Sequence, residues 1–260
     1  MDEMINCKWC DSQVIEIEPP SIRPDWKRLT CSGCGSIRYT EDPSRSELQS
    51  IYESAWLDQS GNGSFAYGST SREIADALIK IGIPENINAD ACLDYGSGKG
   101  LLAERLMLSR CKEVYVVEPF GPDADIPGVS WNRDWTDLPN KMRFYRIFMV
   151  EVVEHLLNPV DELRKARSKL SDNGLVLITT PNARGWRAVI NRGKWRESQN
   201  PTHVNLFSYK SLKICLEKAG YTDIYRVKKT ISYKKGLFSG LLLRLTQILR
   251  IDGGLRVLAR

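Results

Sequence analysis

Apolar and polar residues change their spacing repeatedly along the chain from Ser71 onward. The stretch SREIADALIKIG (71–82) places its apolar residues at helical spacing, and DACLDYGSGKG (90–100) is a short apolar run that ends in glycines. Helical patterns and runs of strand length then alternate, which predicts an α/β fold with a parallel sheet covered on both faces. The further predicted strands are KEVYVVE, FYRIFMV, GLVLITT and YTDIYRV, and the further predicted helices are LLAERLMLS, NPVDELRKARSKL and SYKSLKICLEKAG.

The first 70 residues lack this alternation. Residues 1–40 carry two pairs of cysteines, whereas the following residues have few long apolar runs and include the flexible stretch SGNGSFAYGS. We therefore predict a small N-terminal module over 1–40, a connector that could double as a lid over 41–70, and the α/β domain over 71–260.

The composition is that of a globular protein. The 260 residues are 42% hydrophobic and 27% charged, and a chain of this length can form one large core and a small appendage. No run approaches the roughly 20 apolar residues that span a bilayer. The start, MDEMINCKWC, has neither the basic nor the apolar region of a secretion signal. We expect a cytoplasmic protein.

Positive charge is concentrated in the C-terminal third. The formal net charge is +5, but residues 184–260 contain 17 Lys and Arg against 4 Asp and Glu, which leaves 20 against 28 for the rest of the chain. Such a region suits a solvated face, an anionic substrate, a phosphate-bearing carrier or a membrane surface. Charge alone leaves these four interpretations open.

Four of the seven cysteines form a metal-binding pattern. They are spaced C-x2-C-x20-C-x2-C, with Gly35 directly after the second pair, and they are Cys7, Cys10, Cys31 and Cys34. Two such pairs can provide four thiolates to a tetrahedral zinc ion, and a site closed by four thiolates is structural because no position is left for water. The pattern predicts a zinc ribbon, with free buried thiols as the alternative.

A glycine-rich turn follows the first predicted strand of the α/β domain. The segment LDYGSGKG (93–100) has an acidic residue, Asp94, before glycines spaced G-x-G-x-G. Glycines allow positive φ and a close approach of ligand to backbone, next to the start of a helix. Asp94 would repel a pyrophosphate but suits a cationic amino-acid group. Glu118, eighteen residues beyond Gly100, ends the next strand, where a carboxylate can accept hydrogen bonds from ribose hydroxyls.

Five segments in order, LDYGSGKG, VVEP, RDWTDLP, EVVEHLLNPVDEL and GLVLITTPN, make the chain resemble class I S-adenosylmethionine-dependent methyltransferases over about residues 71–260. The resemblance implies a Rossmann-like sheet of seven strands whose last strand, here GGLRVLAR, is antiparallel. It also implies S-adenosylmethionine as cofactor. The methionine part would be bound by Asp94 and the loop glycines, the ribose by Glu118, and the adenine edge by Asp134 and Trp135; the loop glycines are Gly96, Gly98 and Gly100.

A second candidate metal site follows the strand FYRIFMV. A helical turn there would place Glu151, Glu154 and His155 on one face, at the sheet edge where this fold carries out chemistry. His203 is the only other histidine. This set resembles the divalent-metal ligands of small-RNA 2'-O-methyltransferases and ubiquinone-pathway O-methyltransferases, in which a metal holds a vicinal diol. Without a metal, His155 or His203 would act as general base on a hydroxyl.

The acceptor class follows from resemblance alone. A zinc ribbon before such a domain resembles methyltransferases of sugar, antibiotic and surface-polysaccharide pathways, so we expect a hydroxyl of a small molecule or glycan, which could be lipid-linked. Some ribosomal-RNA methyltransferases also carry a ribbon, so a nucleic-acid substrate is the alternative. Apolar residues at helical spacing in 237–250 predict either a helix packed on the sheet or a peripheral membrane contact.

Overall fold

The computed structural model describes residues 6–17, 28–39, 43–57, 71–85, 87–109, 111–120, 123–228 and 252–260. The chain divides into two compact units. The first contains residues 1–43, 151–164 and 179–257, and the second contains residues 44–150, 165–178 and 258–260.

A seven-stranded sheet forms the centre of the fold, in the order β10-β11-β8-β7-β4-β5-β6. Its strands are β4 (Ala89–Tyr95), β5 (Cys111–Val117), β6 (Val129–Asn132), β7 (Phe144–Val150), β8 (Leu170–Pro181), β10 (Ile224–Arg226) and β11 (Gly254–Ala259). The last strand, β11, is antiparallel. The predicted α/β fold is therefore confirmed. Within this sheet, only the short edge strand β6 had no counterpart among the predicted strands.

The described helices are α1 (Arg45–Leu57), α2 (Arg72–Gly82), α3 (Leu101–Met107), α4 (Pro159–Ser168), α5 (Trp186–Asn191) and α6 (Tyr209–Lys218). The sequence predicted α2, α3, α4 and α6, whereas α1 and α5 were not predicted. Ser71 caps α2, because its side chain accepts a hydrogen bond from the Ile74 amide. The helix ends in a glycine where a Cβ atom would lie 2.9 Å from the ring of Phe148 on β7. A small residue thus lets α2 pack closely on the sheet.

The second unit contains the middle of the sheet. Strand β4 pairs in parallel with both β5 and β7, so that Leu93 lies opposite Tyr115 on one side and Ile147 on the other. Cys92 and Leu93 are fully buried, as expected for a parallel strand covered on both faces. Helix α1 lies in the predicted connector, residues 58–70 of which are outside the described residues.

The first unit contains a second, four-stranded sheet. Strands β1 (Val14–Ile17), β2 (Arg28–Cys31) and β3 (Ile37–Tyr39) pair antiparallel in sequence order, and the fourth strand is β9 (Asn205–Leu206). The N-terminal module therefore shares its sheet with a strand from the predicted α/β domain. The boundaries 1–40, 41–70 and 71–260 remain a prediction.

Three short 3₁₀ turns complete the described elements, at Val153–His155, Arg192–Lys194 and Arg196–Gln199. None of the described helices has both the length and the apolar composition that a membrane span requires. The predicted apolar segment 237–250 lies outside the described residues.

Candidate functional site

The four cysteines of the predicted ribbon lie together in the first unit, with their Sγ atoms all within 4.8 Å of one another. Sγ–Sγ distances are 3.6 Å for Cys7 and Cys34 and 3.4 Å for Cys10 and Cys31, and all four thiols are free. Zinc–sulfur bonds of about 2.3 Å place tetrahedral thiolates about 3.8 Å apart. This four-cysteine cluster therefore fits a zinc ion.

Backbone amides point at two of these sulfur atoms. The Trp9 amide donates to Cys7 Sγ at 3.4 Å, and the Cys34 amide donates to Cys31 Sγ at 3.3 Å. Such bonds stabilise negative charge on sulfur, as a bound cation requires. Both cysteine pairs thus form the turns that the C-x2-C spacing predicts.

The four-cysteine cluster is attached to the rest of the first unit by several contacts. Strand β3 pairs with β9, with Ile37 opposite Leu206. Trp9 packs against Phe207 at a ring distance of 5.6 Å, Lys210 Nζ donates to the Gly33 carbonyl at 2.8 Å, and Ser208 Oγ donates to the Cys34 carbonyl. The cluster is therefore part of the core of this unit.

A loop of three glycines between β4 and α3 lies in the second unit. Gly96, Gly98 and Gly100 all have positive φ, at 72°, 56° and 79°, a region that L residues rarely adopt. A Cβ atom on Gly100 would lie 2.6 Å from Ile126 and 3.1 Å from Trp131. The backbone conformation therefore favours glycine at position 100, and any larger residue would also require the Ile126 or Trp131 side chain to shift.

Asp94 points into this region from the end of β4. It is 2% exposed, and its Oδ2 atom has no hydrogen-bond partner among the described residues. Burial raises the pKa of Asp94 to about 7, and the nearby charge of Glu118 adds to this. A buried carboxyl oxygen without a partner is costly, so the site suits a cationic ligand group.

Glu118, directly after β5, is tied to the same loop. Its Oε2 accepts from the Gly98 amide at 2.7 Å, and its Oε1 accepts from the Phe120 amide at 3.0 Å. The side chain is 3% exposed, and burial raises its pKa. Each oxygen can accept one further hydrogen bond, as two ribose hydroxyls would need.

Asp134 and Trp135 also lie in the second unit, after β6. Trp135 is 5% exposed and stacks on Tyr95, with ring centroids 4.8 Å apart. Asp134 accepts hydrogen bonds from the Thr136 amide and hydroxyl, which lower its pKa. Tyr95, between Asp94 and Gly96, was not predicted as a residue of this candidate site, because an aromatic residue inside a strand ordinarily belongs to the core.

A second group of potential ligands lies in the first unit. One ligand atom from each of Glu154, His155 and His203 lies within 4.8 Å of the others. The carboxylate of Glu154 is fully buried; its Oε2 accepts from Thr180 Oγ1 at 2.9 Å, and its Oε1 has no partner among the described residues. Burial, together with the charge of Glu151, raises the pKa of Glu154 well above its ordinary value.

Both histidines of this group are oriented by backbone carbonyls. His155 Nδ1 lies 3.1 Å from the Thr202 carbonyl oxygen, and His203 Nδ1 lies 3.1 Å from that of Glu197. Burial lowers the pKa of His155 to about 4 and that of His203 well below its ordinary value. Both imidazoles are therefore neutral near pH 7, as a metal ligand or a general base must be.

The sequence prediction for Glu151 is wrong in one respect. Glu151 does not begin a helical turn: its φ is 56°, its amide donates to the Thr179 carbonyl at 3.0 Å, and the 3₁₀ turn starts only at Val153. Its carboxylate accepts from Thr179 Oγ1 at 2.8 Å. Glu151 is therefore not part of the group formed by Glu154, His155 and His203.

Residues that the sequence did not indicate complete the surroundings of His203. Glu197 Oε2 lies 3.7 Å from His203 Nδ1, and Asn200 Nδ2 lies 3.0 Å from His203 Nε2. Tyr39, on β3, donates from its hydroxyl to the Ser198 carbonyl at 2.8 Å. Glu197 lies in the 3₁₀ turn Arg196–Gln199 and Asn200 directly after it, close to His203 in sequence, whereas Tyr39 is far from Ser198 in sequence and meets it only in the folded chain.

A family model described as a methyltransferase domain matches residues 67–225. One similar solved structure is the 1,6-didemethyltoxoflavin-N1-methyltransferase of Burkholderia thailandensis with bound 1,6-didemethyltoxoflavin and S-adenosylhomocysteine. Its TM-score is 0.58 at 14% identity, over 94% of this chain and 99% of that one. Among curated proteins, none matches the sequence.

Two further structures are similar to this chain. A methyltransferase dependent on S-adenosylmethionine from Archaeoglobus fulgidus has a TM-score of 0.52 at 20% identity, over 73% of this chain and 94% of that one. The N-methyltransferase NodS from Bradyrhizobium japonicum, in complex with S-adenosylhomocysteine, has a TM-score of 0.51 at 14% identity, over 82% and 97%. At these identities the likeness shows a shared fold.

Proposed function

This chain belongs to the family with that methyltransferase domain and is an S-adenosylmethionine-dependent methyltransferase, and from this premise we propose that it methylates a hydroxyl of a small molecule or glycan. The observation that carries the assignment of the cofactor site is the buried, unpartnered Oδ2 of Asp94 beside three glycines with positive φ. The ammonium group of the cofactor would give this oxygen a partner.

The other residues of the second unit fit the remaining parts of the cofactor. Glu118 would accept hydrogen bonds from the ribose hydroxyls, and Asp134 with Trp135 would bind the adenine edge. When bound, the cofactor supplies an electrophilic methyl group. The protein contributes orientation and exclusion of water, which together lower the barrier to an in-line attack by the acceptor oxygen.

We assign the acceptor chemistry to Glu154, His155 and His203. Two neutral imidazoles and a buried carboxylate form a mixed nitrogen and oxygen set that suits a divalent transition metal. Asn200 Nδ2, at 3.0 Å from His203 Nε2, would turn away when that nitrogen binds an ion. A bound ion would lower the pKa of an acceptor hydroxyl and would align two adjacent hydroxyls. Without an ion, a neutral histidine would accept the hydroxyl proton.

We further propose that the four-cysteine cluster holds one structural zinc ion. The sulfur spacing and the two amide donors support this. With four thiolates no coordination position remains for water, so the zinc would stabilise the predicted N-terminal module, residues 1–40, rather than take part in chemistry.

Calorimetric titration with S-adenosylhomocysteine tests the cofactor site. Asp94→Ala and Glu118→Ala should each weaken binding by roughly 1.5 to 3 kcal/mol, the usual loss for a charge-assisted hydrogen bond. Asp90→Ala on β4 and Glu113→Ala on β5 are matched controls, because both residues are exposed on the same strands. Wild-type affinity in both test variants would remove the assignment.

Binding of Mn²⁺, measured by electron paramagnetic resonance on enzyme shown to retain its zinc, tests the second site. Glu154→Gln should abolish binding, whereas Glu151→Gln should retain it, because Glu151 lies outside the ligand group. If the wild type is fully active without binding a divalent ion, a histidine rather than a metal would activate the acceptor hydroxyl. Acceptors with one hydroxyl of a vicinal pair removed should lose methylation if the ion aligns a diol.

A further inference from the structure

Helix α5 presents a contiguous apolar face to solvent. Trp186, Val189 and Ile190 are 38%, 55% and 69% exposed. Their spacing of i, i+3 and i+4 places all three on one side of the helix. Single exposed apolar residues are ordinary, but a continuous group of three large ones indicates a surface that contacts something apolar.

The opposite face of α5 is firmly packed. Ala188 on the helix and Trp195 beyond it are 4% and 5% exposed and belong to one buried cluster with Ile37 and Leu206. At the start of the helix, a Cβ atom on Gly185 would lie only 2.9 Å from the Asn182 carbonyl oxygen. The helix therefore already buries an inner face, and its outer apolar residues form a second, exposed one.

The segment 184–196, which contains α5, is rich in positive charge. It has five exposed cations and no acidic residue, and one of these cations, Arg196, lies 3.8 Å from Glu197 Oε1. The Arg187 guanidinium lies 5.1 Å from the centre of the Trp186 ring. We call the exposed residues of this segment the α5 surface; its apolar members are given above, and its cations are Arg184, Arg187, Arg192, Lys194 and Arg196.

The positive charge of the α5 surface limits which partner can bind there. A second copy of the chain docked through this same face, as in a symmetric dimer, would bring like charges together. The apolar segment 237–250 of this chain carries Arg244 and Arg250 and no acidic residue, so it would be repelled as well. A nucleic acid would satisfy the cations but offers no apolar environment to Val189 and Ile190. An anionic lipid bilayer provides both negative charge and an apolar interior.

We propose that the α5 surface binds anionic lipid bilayers, with Trp186, Val189 and Ile190 entering the headgroup region and the surrounding cations contacting lipid phosphates. Tryptophan suits this boundary, because its ring is largely apolar and its N–H remains polar. This proposal does not depend on the acceptor chemistry. Binding to a bilayer would bring the enzyme close to acceptors that carry a lipid anchor.

Co-sedimentation of the full, zinc-loaded chain with vesicles tests the proposal. The protein should bind vesicles of equal parts phosphatidylcholine and phosphatidylglycerol, and bind phosphatidylcholine vesicles far less. Arg187→Gln should weaken binding about fivefold, the usual effect of one basic residue near an anionic surface. Arg167→Gln, at an exposed position of α4, should have no effect.

A second pair of variants tests the apolar contribution. Ile190→Glu and Leu108→Glu alter side chains that are equally exposed, at 69% each, but only the first should lose vesicle binding. Retained affinity for S-adenosylhomocysteine would show that both variants are folded. Equal loss in both variants, no preference for anionic vesicles, or binding of a labelled RNA through Arg187 without vesicle binding would each overturn the proposal.

Discussion

Asp94→Asn should make the ligand-free protein more stable and should lower its affinity for the cofactor. Asp94 is fully buried with one unpartnered oxygen, and its pKa rises from an ordinary 3.8 to about 7. A difference of this size corresponds to about 4 kcal/mol of unfavourable interaction with the ionised form. Asparagine has nearly the same shape and carries no charge, so it removes this cost.

The direction in which stability changes with pH follows from the raised pKa of Asp94 in the folded protein. Because the folded-state pKa lies above the unfolded one, the favourable contribution of Asp94 is complete below about pH 4 and is lost as the pH rises through about 7. The stability advantage of Asp94→Asn should therefore grow over this interval. It should level off above about pH 7, at up to about 4 kcal/mol.

Urea unfolding of the ligand-free, zinc-loaded protein at several pH values measures this difference. Other acids with raised pKa values, such as Glu154 and Glu197, also titrate, but they are present in both proteins, so their contributions largely cancel. Asp90→Asn, at an exposed position of the same strand, should show almost no change. A difference between wild type and Asp94→Asn that does not vary with pH would refute the reasoning.

Ligand binding provides an independent test of the protonation state of Asp94. A cationic ammonium beside Asp94 favours its ionised form, so binding of S-adenosylhomocysteine below about pH 7 should release up to about one proton. Calorimetry in buffers of different ionisation enthalpy measures this number. Asp94→Asn should abolish the release, and a wild type that binds tightly without releasing a proton would show that the ligand does not meet Asp94.

Three further outcomes are expected. Gly100→Ala should lower the melting temperature and cofactor affinity, because a left-handed alanine costs roughly 1 to 2 kcal/mol; Gly253→Ala is the control, since its Cβ would meet nothing within 4 Å. Tyr39→Phe should cost about 1 to 3 kcal/mol of stability by leaving the buried Ser198 carbonyl unpaired, and should weaken Mn²⁺ binding while sparing cofactor affinity. Cys31→Ser should lose zinc by elemental analysis whereas Cys215→Ser keeps it, and a folded wild type without zinc would contradict the site.

The sequence determined the elements whose signals are local. Helix α2 was predicted over 71–82 and is observed over Arg72–Gly82, and β7 was predicted and observed over Phe144–Val150. Periodicity of apolar residues reflects which face of an element is buried, so it can be read from a few turns or strand residues. The glycine loop and the paired cysteines could also be recognised from the sequence, because their residues are only a few positions apart.

Tertiary structure decided how distant segments meet. No local pattern predicted that β9 would complete the N-terminal sheet, that Tyr39 would bond to Ser198, or that Glu151 would adopt a left-handed conformation. Each depends on partners far away in sequence: the Glu151 amide, for example, bonds to Thr179 on the neighbouring strand. Sequence periodicity specifies which face of a segment is buried, but contacts made only after the chain has packed determine which residues that face meets.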